Sequence, residues 1–178
     1  DNEGFIETGT QDPVTYPSDN NAVWNNRVWG RVSYDVPAPG DTPLMLIRTP
    51  TQVYNNTFYP TDGLDVMRVQ EGGGGFFGDL DGTRIVNNIF YPLTADDRCY
   101  MFNVATFTDP DIVIDYNMIY SAGGGGMIVA ERTGFTYDQT QQAAWFADTG
   151  YGEHDIWGSD PMFVDPVTFD FDLQVDRP

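Results

Sequence analysis

Four polar residues close four comparable apolar runs, and their types suit a carboxylate or a sugar chain. Arg48 ends "LMLIR", Arg68 ends "LDVMR", and Asn103 and Glu131 stand late in "CYMFNV" and "MIVAE". If the runs lie side by side, these side chains make one polar stripe. A guanidinium holds a carboxylate through two parallel hydrogen bonds, which gives such a stripe its chemistry. All 8 basic residues are Arg and none is Lys, so any basic catalyst other than histidine is an arginine. The candidate catalytic residues are therefore Arg68, Arg48 and Glu131. The candidate carbohydrate-binding residues are Asn103, Arg48 and Arg68. Ion pairing across strands would explain the same four residues without any ligand.

A second candidate is a cation site. "GDLDGT" places Asp79 and Asp81 beside a glycine, like half of a calcium loop. The bidentate Glu that completes such a loop is missing at its required spacing, so a plain Asp-Gly turn competes with calcium here. Calcium is the one cofactor the acidic residues suggest. "ADDR" reads as a solvated loop with a local ion pair, and the glycine runs 72–75 and 123–126 read as tight turns, since no GK[ST] follows them. His154 is the lone imidazole and reads as a structural or surface residue. Cys99, the lone cysteine, excludes an intrachain disulfide and reads as a small buried hydrophobe. A glycosidase would need two carboxylates about 5–10 Å apart, which sequence alone cannot locate among so many acids.

The net charge is −19, from 22 Asp and 5 Glu against the eight Arg. A surface this negative repels phosphate backbones, which excludes nucleic acid as an expected partner. No apolar run is long enough to span a membrane. The acidity is consistent with a salty medium, with divalent cations or with a need for solubility.

These candidates must be positioned by something, and a repeat supplies it. "VWNNRVWG", "VYNNTFYP", "IVNNIFYP" and "IDYNMIYS" align on Asn26, Asn56, Asn88 and Asn117, with spacings of 30, 32 and 29. An apolar residue follows two places on, and an aromatic three places on. Period-two patterning with β-branched and aromatic residues reads as strand. A fixed period near 30 reads as a repeat architecture in which each copy lies on the last. Stacked asparagines can then pass an amide to the next carbonyl, forming a structural ladder of Asn26, Asn56, Asn88 and Asn117. Asn55 also begins an Asn-Asn-Thr glycosylation sequon. After Glu131 the composition turns helical, predicting a short helix near 138–148 that packs through Ala143, Ala144 and Phe146, within an excursion over 136–157.

The phrases "NNTFY" and "NNIFY", the "DYNMIYS" phrase with its glycine run, "AAWFADTG" and the closing "DPMFVDP" with "DFDL" resemble the secreted right-handed parallel β-helix proteins of the pectate-lyase-like superfamily. The resemblance implies an all-β fold: a right-handed parallel β-helix of about five coils, forming a rod of roughly 20–25 Å. It implies an extracellular or cell-surface place and a polysaccharide as partner. Members usually carry more coils and a cap at the N-terminal end. The chain is therefore expected to be a single β-helix domain over 1–178, a segment of a longer one, or a subunit whose ends neighbours cover. The expected function is a structural and binding β-solenoid that stacks with itself as a homo-oligomer and contacts glycans. The alternative is a fragment of a lyase or hydrolase of an acidic polysaccharide.

Overall fold

The computed structural model describes residues 2–3, 6–8, 21–30, 43–60, 65–70, 80–92, 98–103, 111–122, 129–131, 136–168 and 170–174. Its strands are short, two to six residues, because turn-forming residues interrupt every apolar run. Each asparagine phrase is in fact two strands joined at a corner. Asn25, Asn55 and Asn87 take φ values of 55°, 57° and 56°. Asparagine tolerates this left-handed region better than other residues with a side chain, so the first Asn of each pair bends the chain. The second Asn then leads into the next strand, which begins one residue later.

The strands fall into four sheets. The first runs in the order Asn2–Glu3, Arg27–Gly30, Thr57–Pro60, Ile89–Phe90, Met118–Ile119, Ile156–Trp157, all parallel. The second holds Ile6–Thr8, Met45–Ile47, Asp65–Gln70, Arg98–Asn103 and Val129–Glu131 in parallel, then Thr136–Tyr137 antiparallel. The third is parallel and holds Asn21–Trp24, Thr51–Tyr54, Arg84–Val86 and Val113–Asp115. The fourth pairs Phe163–Asp165 with Asp170–Leu173, antiparallel. The expected right-handed parallel β-helix is thus corrected. The strands are dispersed over four separate sheets, antiparallel pairing enters two of them, and no complete 30-residue period lies within the described residues.

The core is built from the inward parity of the three parallel sheets. Val28, Phe58, Phe90 and Ile119 are fully buried on the first, Met45, Ile47, Met67 and Val69 on the second, and Val53, Ile85 and Ile114 on the third. Phe58 and Phe90 stack with ring centroids 5.2 Å apart. Burying side chains of this size contributes roughly 1.5–3 kcal/mol each. The outward tyrosines of the first sheet form a second cluster. Phe163 and Phe171 of the antiparallel pair pack on Tyr59 and Tyr91, and an Arg27–Asp172 ion pair at 2.7 Å joins the two sheets at the surface. That aromatic cover is the physical reason the chain folds back after Pro161 instead of continuing in parallel.

The helix is Gln142–Thr149, beginning later than 138. Asp138 bonds the backbone and hydroxyl of Thr140, which holds the preceding residues in a turn. Gly150 closes the helix in the left-handed conformation, its N–H donating to Phe146. Trp145 is the residue that anchors it, fully buried between Tyr137 and Tyr151. Ala143, Ala144 and Phe146, the expected packing residues, face outward. Among the described residues, no helix is long and apolar enough to cross a membrane.

Candidate functional site

The register of the second sheet decides the polar stripe. Arg68 pairs with Leu46 on one side and Met101 on the other. Asn103 pairs with Gln70, and Glu131 pairs with Phe102. Glu131 is therefore in register with Phe102, Val69 and Ile47, one place out of step with Arg68. Arg48 lies just past the end of its strand. Positions alternate faces along a strand, so Asn103 shares the parity of Arg68 while Glu131 stands one place out of register with it. The lengths of the runs do not reveal this one-residue offset.

The cation candidate is described only in part. Asp79 lies outside the described residues. Asp81 is exposed in a tight turn closed by a Thr83 to Leu80 backbone bond, with Gly82 at φ 84°. Among the described residues, no group of three or more acids, His or Cys could hold a metal ion.

The asparagines, in contrast, are joined. The Oδ1 of Asn56 accepts the backbone N–H and the amide of Asn26 at 3.0 and 3.1 Å. Asn88 does the same for Asn56, at 3.0 Å each, and Asn117 for Asn88, at 3.0 and 3.1 Å. The last acceptor is not an asparagine. Asp155 takes the Asn117 N–H at 2.6 Å on Oδ1 and the Trp157 indole at 3.2 Å on Oδ2. A Cβ on Gly152 would stand 2.7 Å from that Oδ2, so only glycine lets the chain pass there, and its φ of 72° demands glycine as well. Burial pushes the Asp155 carboxyl up from 3.8 to about 6, against the hydrogen bonds from Asn117 and Trp157.

Outside this row, the third sheet carries an exposed line. Trp24, Tyr54, Val86 and Asp115 stand opposite one another on its four strands, on the outward parity. Trp24 and Tyr54 stack nearly flat, centroids 6.0 Å apart at 9°, and Trp24 is 53% exposed. The corner residues Asn25, Asn55 and Asn87 run beside the line as exposed amides. The fourth corner residue is Tyr116, at φ 60° and 56% exposed. It stacks on the His154 ring at 4.7 Å and 7°. Asp115 accepts the His154 backbone N–H and contacts Nδ1, both at 2.7 Å. Partial burial pushes the Asp115 carboxyl up, yet the bonds from the His154 ring and backbone and from Tyr116 outweigh it and leave it below 3.8. The same bond to Asp115 raises the His154 ring above its ordinary 6.5.

A tyrosine at a left-handed corner costs of order 1–3 kcal/mol that asparagine largely escapes. Tyr116→Asn is therefore expected to raise stability by about 1 kcal/mol, the loss of one exposed stack notwithstanding. A urea unfolding midpoint unchanged or lowered would contradict this.

The aromatic line was not singled out from the sequence, although its members stand just before the asparagines already aligned. Trp24 and Tyr54 share the place two before the second Asn, and Asp115 follows in the same place. His154 reads from sequence as a structural or surface residue, and its tie to Asp115, 39 residues back, leaves no local signal. No family model, no curated protein and no solved structure matches the chain. Function has to be reasoned from the geometry.

Proposed function

We propose that the chain is an extracellular structural and binding module, one that contacts glycans and associates with further copies of itself. The observation that supports it best is the Trp24–Tyr54 stack, Trp24 exposed and Tyr54 half-buried, continued by Val86 and flanked by the corner amides. Flat aromatic faces left in water cost hydration free energy and gain it back when the apolar face of a sugar ring covers them. Amides beside them offer donors and acceptors to hydroxyls. Among the described residues the third sheet ends at Asn21–Trp24 and the first at Ile156–Trp157, and edge strands can pair with another copy.

Trp24→Ala is expected to weaken oligosaccharide binding by about 10-fold or more, since stacking and burial on one large ring contribute of order 1–3 kcal/mol. Titration calorimetry against a panel of oligosaccharides measures this. An unaltered affinity would remove the aromatic line from the reading, and no binding by the native chain would remove the glycan. Sedimentation velocity over a range of concentrations measures the association, and a monomer throughout would count against that part.

A further inference from the structure

We infer that the glycan taken by this surface is cationic, a chain of amino sugars lying along the line from Trp24 to Tyr116; the inference rests on the glycan reading above. The line spans three strand spacings of roughly 4.8 Å, about 14 Å in all, which suits an oligosaccharide better than a single sugar.

Charge excludes the acidic glycans first. With a net charge of −19 and no lysine, the molecule repels a uronate or sulfated chain at a distance and steers a protonated amine inward. Two cations stand by the line, Arg84, exposed two residues before Val86 on the same parity, and His154, whose ring Asp115 meets at 2.7 Å; both are set against the net charge of −19.

The rings point the same way. Trp24, at one end of the line, and Tyr116, on the corner row beside its other end, are each more than half exposed. An ammonium group within about 6 Å of such a ring is attracted by the negative face of the π system, most strongly for Trp. Neutral sugars use the apolar component of the same faces and gain nothing from that attraction.

Tyr116 adds the independent observation. Three corners of the repeat are Asn, which fits the left-handed backbone, and the fourth holds a bulky residue at φ 60°. Its ring lies at the surface, so it does not recover the strain by filling the core. Strain kept at an exposed aromatic residue is what a binding surface leaves behind.

The test is calorimetry of the full chain against three oligosaccharides of equal length: a glucosamine oligomer, its N-acetylated counterpart and a galacturonate oligomer. At low salt the glucosamine oligomer is expected to bind at least about 5-fold tighter than the acetylated one, and the galacturonate not at all. In about 1 M salt, where the screening length is roughly 3 Å, the difference should shrink. Trp24→Ala should weaken glucosamine binding by about 10-fold or more and Tyr116→Ala by about 2- to 5-fold. Acetylated or acidic chains binding as well as or better than glucosamine would overturn the inference and leave the glycan reading standing. Glucosamine binding untouched by either substitution would also overturn it, as diffuse charge attraction. No binding of any of the three would sink the inference and the glycan reading together.

Discussion

Asn88→Ala is expected to cost about 3–5 kcal/mol, more than the removal of a typical hydrogen-bonding side chain. Asn88 is 0% exposed. Its Oδ1 accepts both N–H groups of Asn56, and its amide donates to Val53 O at 3.0 Å, Val86 O at 3.1 Å and the Asn117 Oδ1 at 3.1 Å. Alanine strands the buried Asn56 N–H and leaves a cavity too small and too enclosed to bring a water to every orphan. Each unsatisfied buried group costs roughly 1–3 kcal/mol, and the neighbours in the row lose the polarisation that a continuous chain of bonds supplies. Asn26 is the comparison within the same molecule. It stands at the start of the row, half-buried, with its amide also bonded to Trp24 O at 2.9 Å. Water can replace what it loses, so Asn26→Ala should cost only about 1 kcal/mol. Urea denaturation of both variants checks the pair. Equal costs would mean that the row contributes no more at its buried centre than at its open end.

The row was legible in the sequence because its residue type is nearly unique in what it does. An asparagine at a fixed period carries both an acceptor and two donors, and the spacing of 30, 32 and 29 announced which copies meet. The core followed from the same alignment: Val28, Phe58, Phe90 and Ile119, two places after each asparagine, are all fully buried. Larger architecture was not legible in this way. The continuation of parallel pairing past Pro161 depended on whether Phe163 and Phe171 would rather cover Tyr59 and Tyr91, and no local pattern reports that contest. The register of the polar candidates was hidden for a smaller reason. A single residue of offset places Glu131 on the parity of Val69 instead of Arg68, and apolar runs of similar length carry no mark of their register. The aromatic line lay in plain view, but exposure distinguishes it from the buried aromatics, and exposure is a tertiary property.

The end of the row sets the pH response. Asp155 stands where a fifth asparagine would continue the pattern, and it is buried with the Asn117 N–H at 2.6 Å. Its folded value of about 6 lies above the ordinary 3.8, so the folded state holds a proton that the unfolded chain releases. The stability this contributes is full below about 3.8 and is lost as pH rises through about 6, a change of about 3 kcal/mol. His154 acts in the same direction: its ring is raised by Asp115, and that contribution fades as pH climbs past its folded value. Asp115 opposes them only in strong acid, since its lowered carboxyl contributes above 3.8 and is lost as pH falls through its folded value. Stability should therefore peak in acid, near about pH 4, and decline toward neutrality. Asp155→Asn tests the cause. The amide keeps an acceptor for Asn117 and cannot ionise, while it gives up the bond from the Trp157 indole. The variant should lose most of the decline between pH 4 and 7 and be about 1–2 kcal/mol more stable than the native chain at pH 7, after the lost indole bond is counted. Thermal or urea unfolding across that range reads both quantities. A variant that declines with pH as steeply as the native protein would place the titration on another group and leave Asp155 an ordinary, ionised end to the asparagine row.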